Sequence, residues 1–65
     1  MNGNISIDDL REGHKVTVST WGSSYRHGTI TAVEDDIKNG IPGIDYTDSN
    51  GGTWWCYIDQ VVAYT

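Results

Sequence analysis

The chain has 65 residues, 37% of them hydrophobic, and nine acids against four bases leave a formal net charge of −5. A chain of this length buries only about 60% of the surface its unfolded form exposes, which allows one small core and no cleft between two domains. No apolar run reaches the ~20 residues of a membrane span, no basic and apolar leader opens the sequence, a single Cys excludes an internal disulfide framework, and the acidic total opposes broad binding to DNA phosphates.

Residues 1–4 are polar and read as a flexible tip. Ser6-Ile7-Asp8-Asp9-Leu10 predicts one helical turn, with Ser6 as N-cap and both aspartates at its positive end. Gly13 ends that turn, and Ile5, Ile7 and Leu10 plug one end of a core. Residues 14–20 alternate with period two, Val16 and Val18 on one face and Lys15, Thr17 and Ser19 on the other, which predicts a half-buried first strand. Trp21-Gly22-Ser23-Ser24 is a turn, and residues 25–33 form a second strand with Ile30 and Ala32 inward. Gly28 inside that strand marks a bulge or sharp bend. Glu34-Asp35-Asp36, Asn39-Gly40 and Pro42-Gly43 predict a loop over residues 34–43. Residues 44–47 are a third strand, and Asp48-Ser49-Asn50-Gly51-Gly52 is a hairpin turn. Thr53-Trp54-Trp55-Cys56-Tyr57 is a fourth strand, with Trp54 and Cys56 on one face and Trp55 and Tyr57 on the other; a one-residue slip exchanges those faces. Ile58-Asp59-Gln60-Val61 reads as a 3-10 turn, and residues 62–64 as a fifth strand. Five short strands avoid long open edges most economically by curling into one small barrel bent at Gly28.

A barrel of this size takes aliphatic side chains and one or two aromatics inside. Val16, Val18, Ile30, Ala32, Ile44, Trp54, Cys56 and Val61 fill that space, yet the chain has three Trp and four Tyr. Trp21, Tyr25, Tyr46, Trp55 and Tyr57 are therefore the candidate partner-binding residues, since exposed Trp and Tyr are enriched in interface hot spots; the bland alternative is that they lid the barrel ends. Lys15, Arg26 and His27 form a second candidate set, a small basic patch if their strands lie side by side. The acids serve solubility, or in a sharper reading meet a basic partner. His14, His27, Asp45 and Asp59 match no zinc spacing, so no metal or cofactor is expected. Cys56 on an inward position is a small hydrophobe with no base identified beside it.

Three segments carry a resemblance that covers the chain from about Leu10 to Tyr64: Gly13-His14-Lys15-Val16-Thr17-Val18, Gly28-Thr29-Ile30-Thr31-Ala32-Val33, and Trp55-Cys56-Tyr57-Ile58-Asp59-Gln60-Val61-Val62. Their order resembles the SH3-like small-barrel class, and the last segment also looks like small uncharacterised proteins of bacteria and their phages. The resemblance implies an all-β fold over residues 1–65: a five-stranded SH3-like barrel with one 3-10 turn before the last strand. It does not choose an activity, because that class spans peptide binders, nucleic-acid modules, chromatin readers and a plasmid-borne dihydrofolate reductase. The reductase carries a Gln-Ile-Tyr segment where this chain has Tyr57-Ile58-Asp59-Gln60, so reductase chemistry is the least favoured reading. The Ala-Leu-Tyr-Asp-Tyr type opening of signalling SH3 domains is absent, although Trp54-Trp55 echoes their paired Trp. The expected function is a cytoplasmic, non-enzymatic module that binds another protein or its own copy through exposed aromatics. The alternative is a nucleic-acid-associated barrel using Lys15, Arg26 and His27, with Trp21 and Tyr25 stacking on bases.

Overall fold

A computed structural model describes residues 5–65, and the tip expected at residues 1–4 lies outside the described residues. The Ser6 hydroxyl accepts the Asp8 amide at 3.2 Å, while the Asp9 carboxylate accepts the Ser6 amide at 3.2 Å. This reciprocal capping box starts a 3-10 turn at Ile7–Asp9. Leu10, rather than Gly13, ends it, and Gly13 at φ 92° supplies the left-handed residue of the next turn.

Five strands follow: β1 Lys15–Ser19, β2 Tyr25–Lys38, β3 Ile41–Asp48, β4 Thr53–Tyr57 and β5 Val61–Tyr64. They form one antiparallel sheet in the order β4-β3-β2-β1-β5. A 3-10 turn, Ile58–Gln60, joins β4 to β5. The expected loop at residues 34–43 is instead two strand ends and a two-residue hairpin. Asn39 and Gly40 have φ of 58° and 75°, the paired left-handed values that match the twist of the flanking strands. Pro42 falls where the β2–β3 register slips, at a position that asks no ladder bond of it.

The register slips once more between Ile30 and Ala32. That bulge, not Gly28, is where the ladder is interrupted, and it reverses the alternation beyond Thr31. Val33 therefore packs on the core where Ala32 was expected. Gly28 answers a different need. A Cβ there would come within 2.7 Å of the Tyr46 ring and 2.5 Å of the Thr47 carbonyl oxygen.

The core is Leu10, Val16, Val18, Ile30, Ile44, Tyr46, Cys56 and Val61, with Ile5, Ile7, Val33 and Ile58 packed against it. Two aromatics have exchanged their expected places. Tyr46, expected outside, is only 1% exposed, and Trp54, expected inside, is 41% exposed. The two are cross-strand partners, so one ring fills the space over Gly28 and displaces the other. Tyr46 also keeps its phenol oxygen near a donor, 3.5 Å from Arg26 Nη1.

The sheet is strongly curled. In a flat five-stranded sheet the outer strands lie about 19 Å apart, four spacings of ~4.8 Å. Here the three residues of the second 3-10 turn connect those two strands, and at ~2 Å of rise per residue they span well under that distance. Among the described residues no ladder joins β4 to β5, so each leaves one edge unpaired.

Candidate functional site

A groove of about 840 Å³ opens along β4. Val18, Ser19, Thr20 and Trp21 form one wall, from the end of β1 into its turn; Trp54, Trp55, Cys56 and Tyr57 form the other. Tyr46 and Arg26 line its floor, and Asp59 and Gln60 its end. Gln60 ties the walls together. Its amide oxygen accepts the Tyr57 amide at 3.0 Å and its amide nitrogen donates to the Ser19 carbonyl at 3.4 Å.

Trp21 is 95% exposed at the tip of a tight turn, closed by the Thr20 amide donating to the Ser24 carbonyl at 2.9 Å. Gly22 at φ 73° makes that turn accessible. Trp54 stands on the inner face of β4, where Arg26 lies over its ring at 3.7 Å from the centroid. Its indole Nε1 donates to Asp48 Oδ2 at 2.8 Å. Asp48 Oδ1 also accepts the amides of Asn50 and Gly52, both at 2.9 Å. The Trp54 hydrogen bond first, then that of Gly52, hold the Asp48 carboxyl below its ordinary value of 3.8, with Arg26 adding a smaller attraction. On the outer face of β4, Trp55 is 46% exposed. Tyr57 meets it edge-on at 5.2 Å, and Lys38 Nζ sits 5.4 Å from its centroid.

Of the five aromatics picked from the sequence, Trp21, Trp55 and Tyr57 line this groove. Tyr25 is exposed at the start of β2 but outside the groove lining. Tyr46 contributes only as buried floor. Trp54, Arg26 and Asp59 line it as well, and Asp48 holds the Trp54 indole from outside the lining. Asp48 was legible as the first residue of a turn whose side chain bonds the backbone two residues on. Nothing in the sequence showed that Trp54 would be displaced toward it.

The basic set does not assemble. Lys15 pairs with Thr29 and Thr17 with His27 on the outer face, whereas Arg26 lies opposite inward-facing Val18. The His27 Nδ1 is held 2.9 Å from the Thr17 hydroxyl. Lys15 and His27 thus lie on one side of the sheet and Arg26 on the other.

Cys56 is buried, and burial first, then the nearby Asp59 and Asp45, push its thiol from 9.0 up to about 12. A thiol so placed is withheld as a nucleophile near neutral pH. Among the described residues no group of three or more His, Cys, Asp and Glu is placed to hold a metal ion, and no helix is long and apolar enough to cross a membrane. The chain matches no protein-family model, no curated protein and no solved structure. What the groove offers is indole surface, an unpaired strand edge and a few fixed charges.

Proposed function

We propose that this chain is a non-enzymatic binding module of the SH3-like small-barrel kind, which holds a segment of another protein in the groove along β4. One observation carries the reading: three exposed tryptophans, Trp21, Trp54 and Trp55, converge on one groove. Exposed indoles gathered around a concave site are the usual composition of an interface centre. The barrel reading is supported by the curl of the sheet and by the 3-10 turn that brings β5 from the end of β4 to the side of β1. A lone thiol is compatible with a reducing compartment, which agrees with a cytoplasmic module. The split between Lys15 with His27 and Arg26 favours the protein partner over a nucleic acid.

The test is selection of peptides from a random displayed library on the immobilised protein, with W21A and W55A as counter-targets. Peptides that bind the parent and lose affinity by about tenfold or more on either variant support the reading, as hot-spot truncation predicts. A selection that yields no tryptophan-dependent peptide refutes it.

A further inference from the structure

We propose that the groove takes its occupant as a sixth strand, an extended segment of another protein that bears Lys or Arg and pairs with the free edge of β4. This rests on the binding-module reading and adds the conformation and charge of the occupant. The groove lining contains Trp54 and Cys56 from one face of β4 and Trp55 and Tyr57 from the other. A strand that shows both faces to one groove presents its edge there.

The ladder says which groups are free. The Tyr57 amide donates to the Gln60 side chain and not to β3. In an antiparallel ladder the direction of the backbone groups alternates, so the amides of Thr53 and Trp55 also point away from β3. Trp55 therefore offers an N–H and a C=O to an incoming chain. The edge also lacks the usual guards. Thr-Trp-Trp-Cys-Tyr contains no charged residue and no proline, although edge strands are commonly protected by both. The other edge strand, β5, meets β1 through a register shift beside Val18.

Charge decides the occupant. Arg26 is already placed on Trp54 and attracts Asp48. Asp59 lines the groove, and Asp45 is the cross-strand partner of Trp55. Both carboxylates lie near enough to the Cys56 thiol, toward the end of β4, to oppose its ionisation. The chain's own cations already cover the indoles of β4, Arg26 on Trp54 and Lys38 on Trp55, so it is the carboxylates of Asp59 and Asp45 that are left to meet a positive side chain of the occupant. A strand added here would alternate its side chains between the two faces of the sheet, meeting Trp54 on one face and Trp55 with Asp45 on the other, with Asp59 in the lining of the same groove. A second copy fits less well, since each copy carries a net charge of −5.

The experiment is amide hydrogen exchange by NMR on the full chain, with synthetic probe peptides. The probes are a short peptide of alternating Lys and Val, its Glu-Val counterpart, a Lys-Val peptide N-methylated at every residue so that neither edge can donate, and a basic proline-rich peptide. The Lys-Val peptide is expected to slow exchange at the Trp55 amide by about tenfold or more and to shift the indole N–H signals of Trp54 and Trp55. The other three peptides are expected to leave the Trp55 amide unchanged. D59N, an exposed position, is expected to weaken Lys-Val binding several-fold. No protection by Lys-Val, equal protection by Glu-Val or by the N-methylated peptide, protection on β5 instead, or protection that grows with protein concentration in the absence of peptide would each overturn the proposal. Tryptophan-dependent peptides from the displayed library that leave the Trp55 amide exchanging freely would keep the binding module and remove the added strand. A library with no such peptides removes both.

Discussion

Three N–H groups converge on the Asp48 carboxylate, from Asn50, Gly52 and the Trp54 indole. They close the β3–β4 turn and fix the tilt of the indole that walls the groove. All three bonds favour the ionised form, and the carboxyl is held below its ordinary 3.8. For an acid with a lowered folded value, the stability it contributes is complete above the ordinary value and is lost as pH falls through the folded one. D48N keeps an oxygen for the two backbone amides but places one polar atom less suited to accept from Trp54. The expected outcome is a lower melting temperature than the parent at neutral pH, with the gap closing as pH is taken below 3.8. In the parent, the Trp54 indole N–H resonance is expected to titrate with a midpoint below that value. A gap that persists unchanged into acid would show that the charge on Asp48 contributes nothing to the turn.

At the scale of elements, β2 shows what a strand this long needs. Its first half must let Tyr46 cross beneath it, and Gly28 provides the gap. G28A places a methyl group against the Tyr46 ring and the Thr47 carbonyl, so overpacking of about 1–3 kcal/mol is expected. For a domain of this size that lowers the melting temperature by roughly 5–20 °C. A thermal scan checks it, and an unchanged midpoint would mean that β3 shifts away freely. The same elements show how far the sequence could be read. The valines of β1, the cap at Ser6 and the last 3-10 turn follow from period-two alternation and from local hydrogen-bonding residues, and all were legible. The extra residue at Thr31 was not, because Thr29-Ile30-Thr31-Ala32-Val33 is apolar enough to satisfy either phase. The acids at residues 34–36 looked like a loop because like charges break an alternating pattern, yet on an exposed hairpin arm they are solvated and cost the strand little. The hairpin signal was present in Asn39-Gly40, outweighed by its charged surroundings. The exchange of Tyr46 and Trp54 was illegible for a further reason. Both are aromatic and directly opposed, and only the three-dimensional gap over Gly28 and the reach of Arg26 decide which one is buried.

For the whole molecule, surface area sets the terms. A compact monomer of 7.2 kDa exposes about 4,100 Å² by the usual scaling, and this chain exposes 4313 Å². The exposed area is thus close to that of a compact monomer of this mass, with the groove open. The division of labour among apolar residues follows. Ile44, fully enclosed in the core, supports folding; Trp21, almost wholly in solvent, adds almost nothing to it. Total stability for this length is of the order of 3–10 kcal/mol, and I44A removes about 2–5 of it through lost burial and an unfilled cavity. W21A removes almost none, since surface positions usually change stability by less than about 0.5 kcal/mol. Urea titrations of the two variants should separate sharply: I44A with a much lower midpoint or no folded baseline, W21A superimposable on the parent. The parent midpoint should also hold constant over about a hundredfold range of protein concentration, since a monomeric fold has no mass-action term. A W21A variant that unfolds early would make that tryptophan a lid of the fold, and the groove would lose the first of its three indoles.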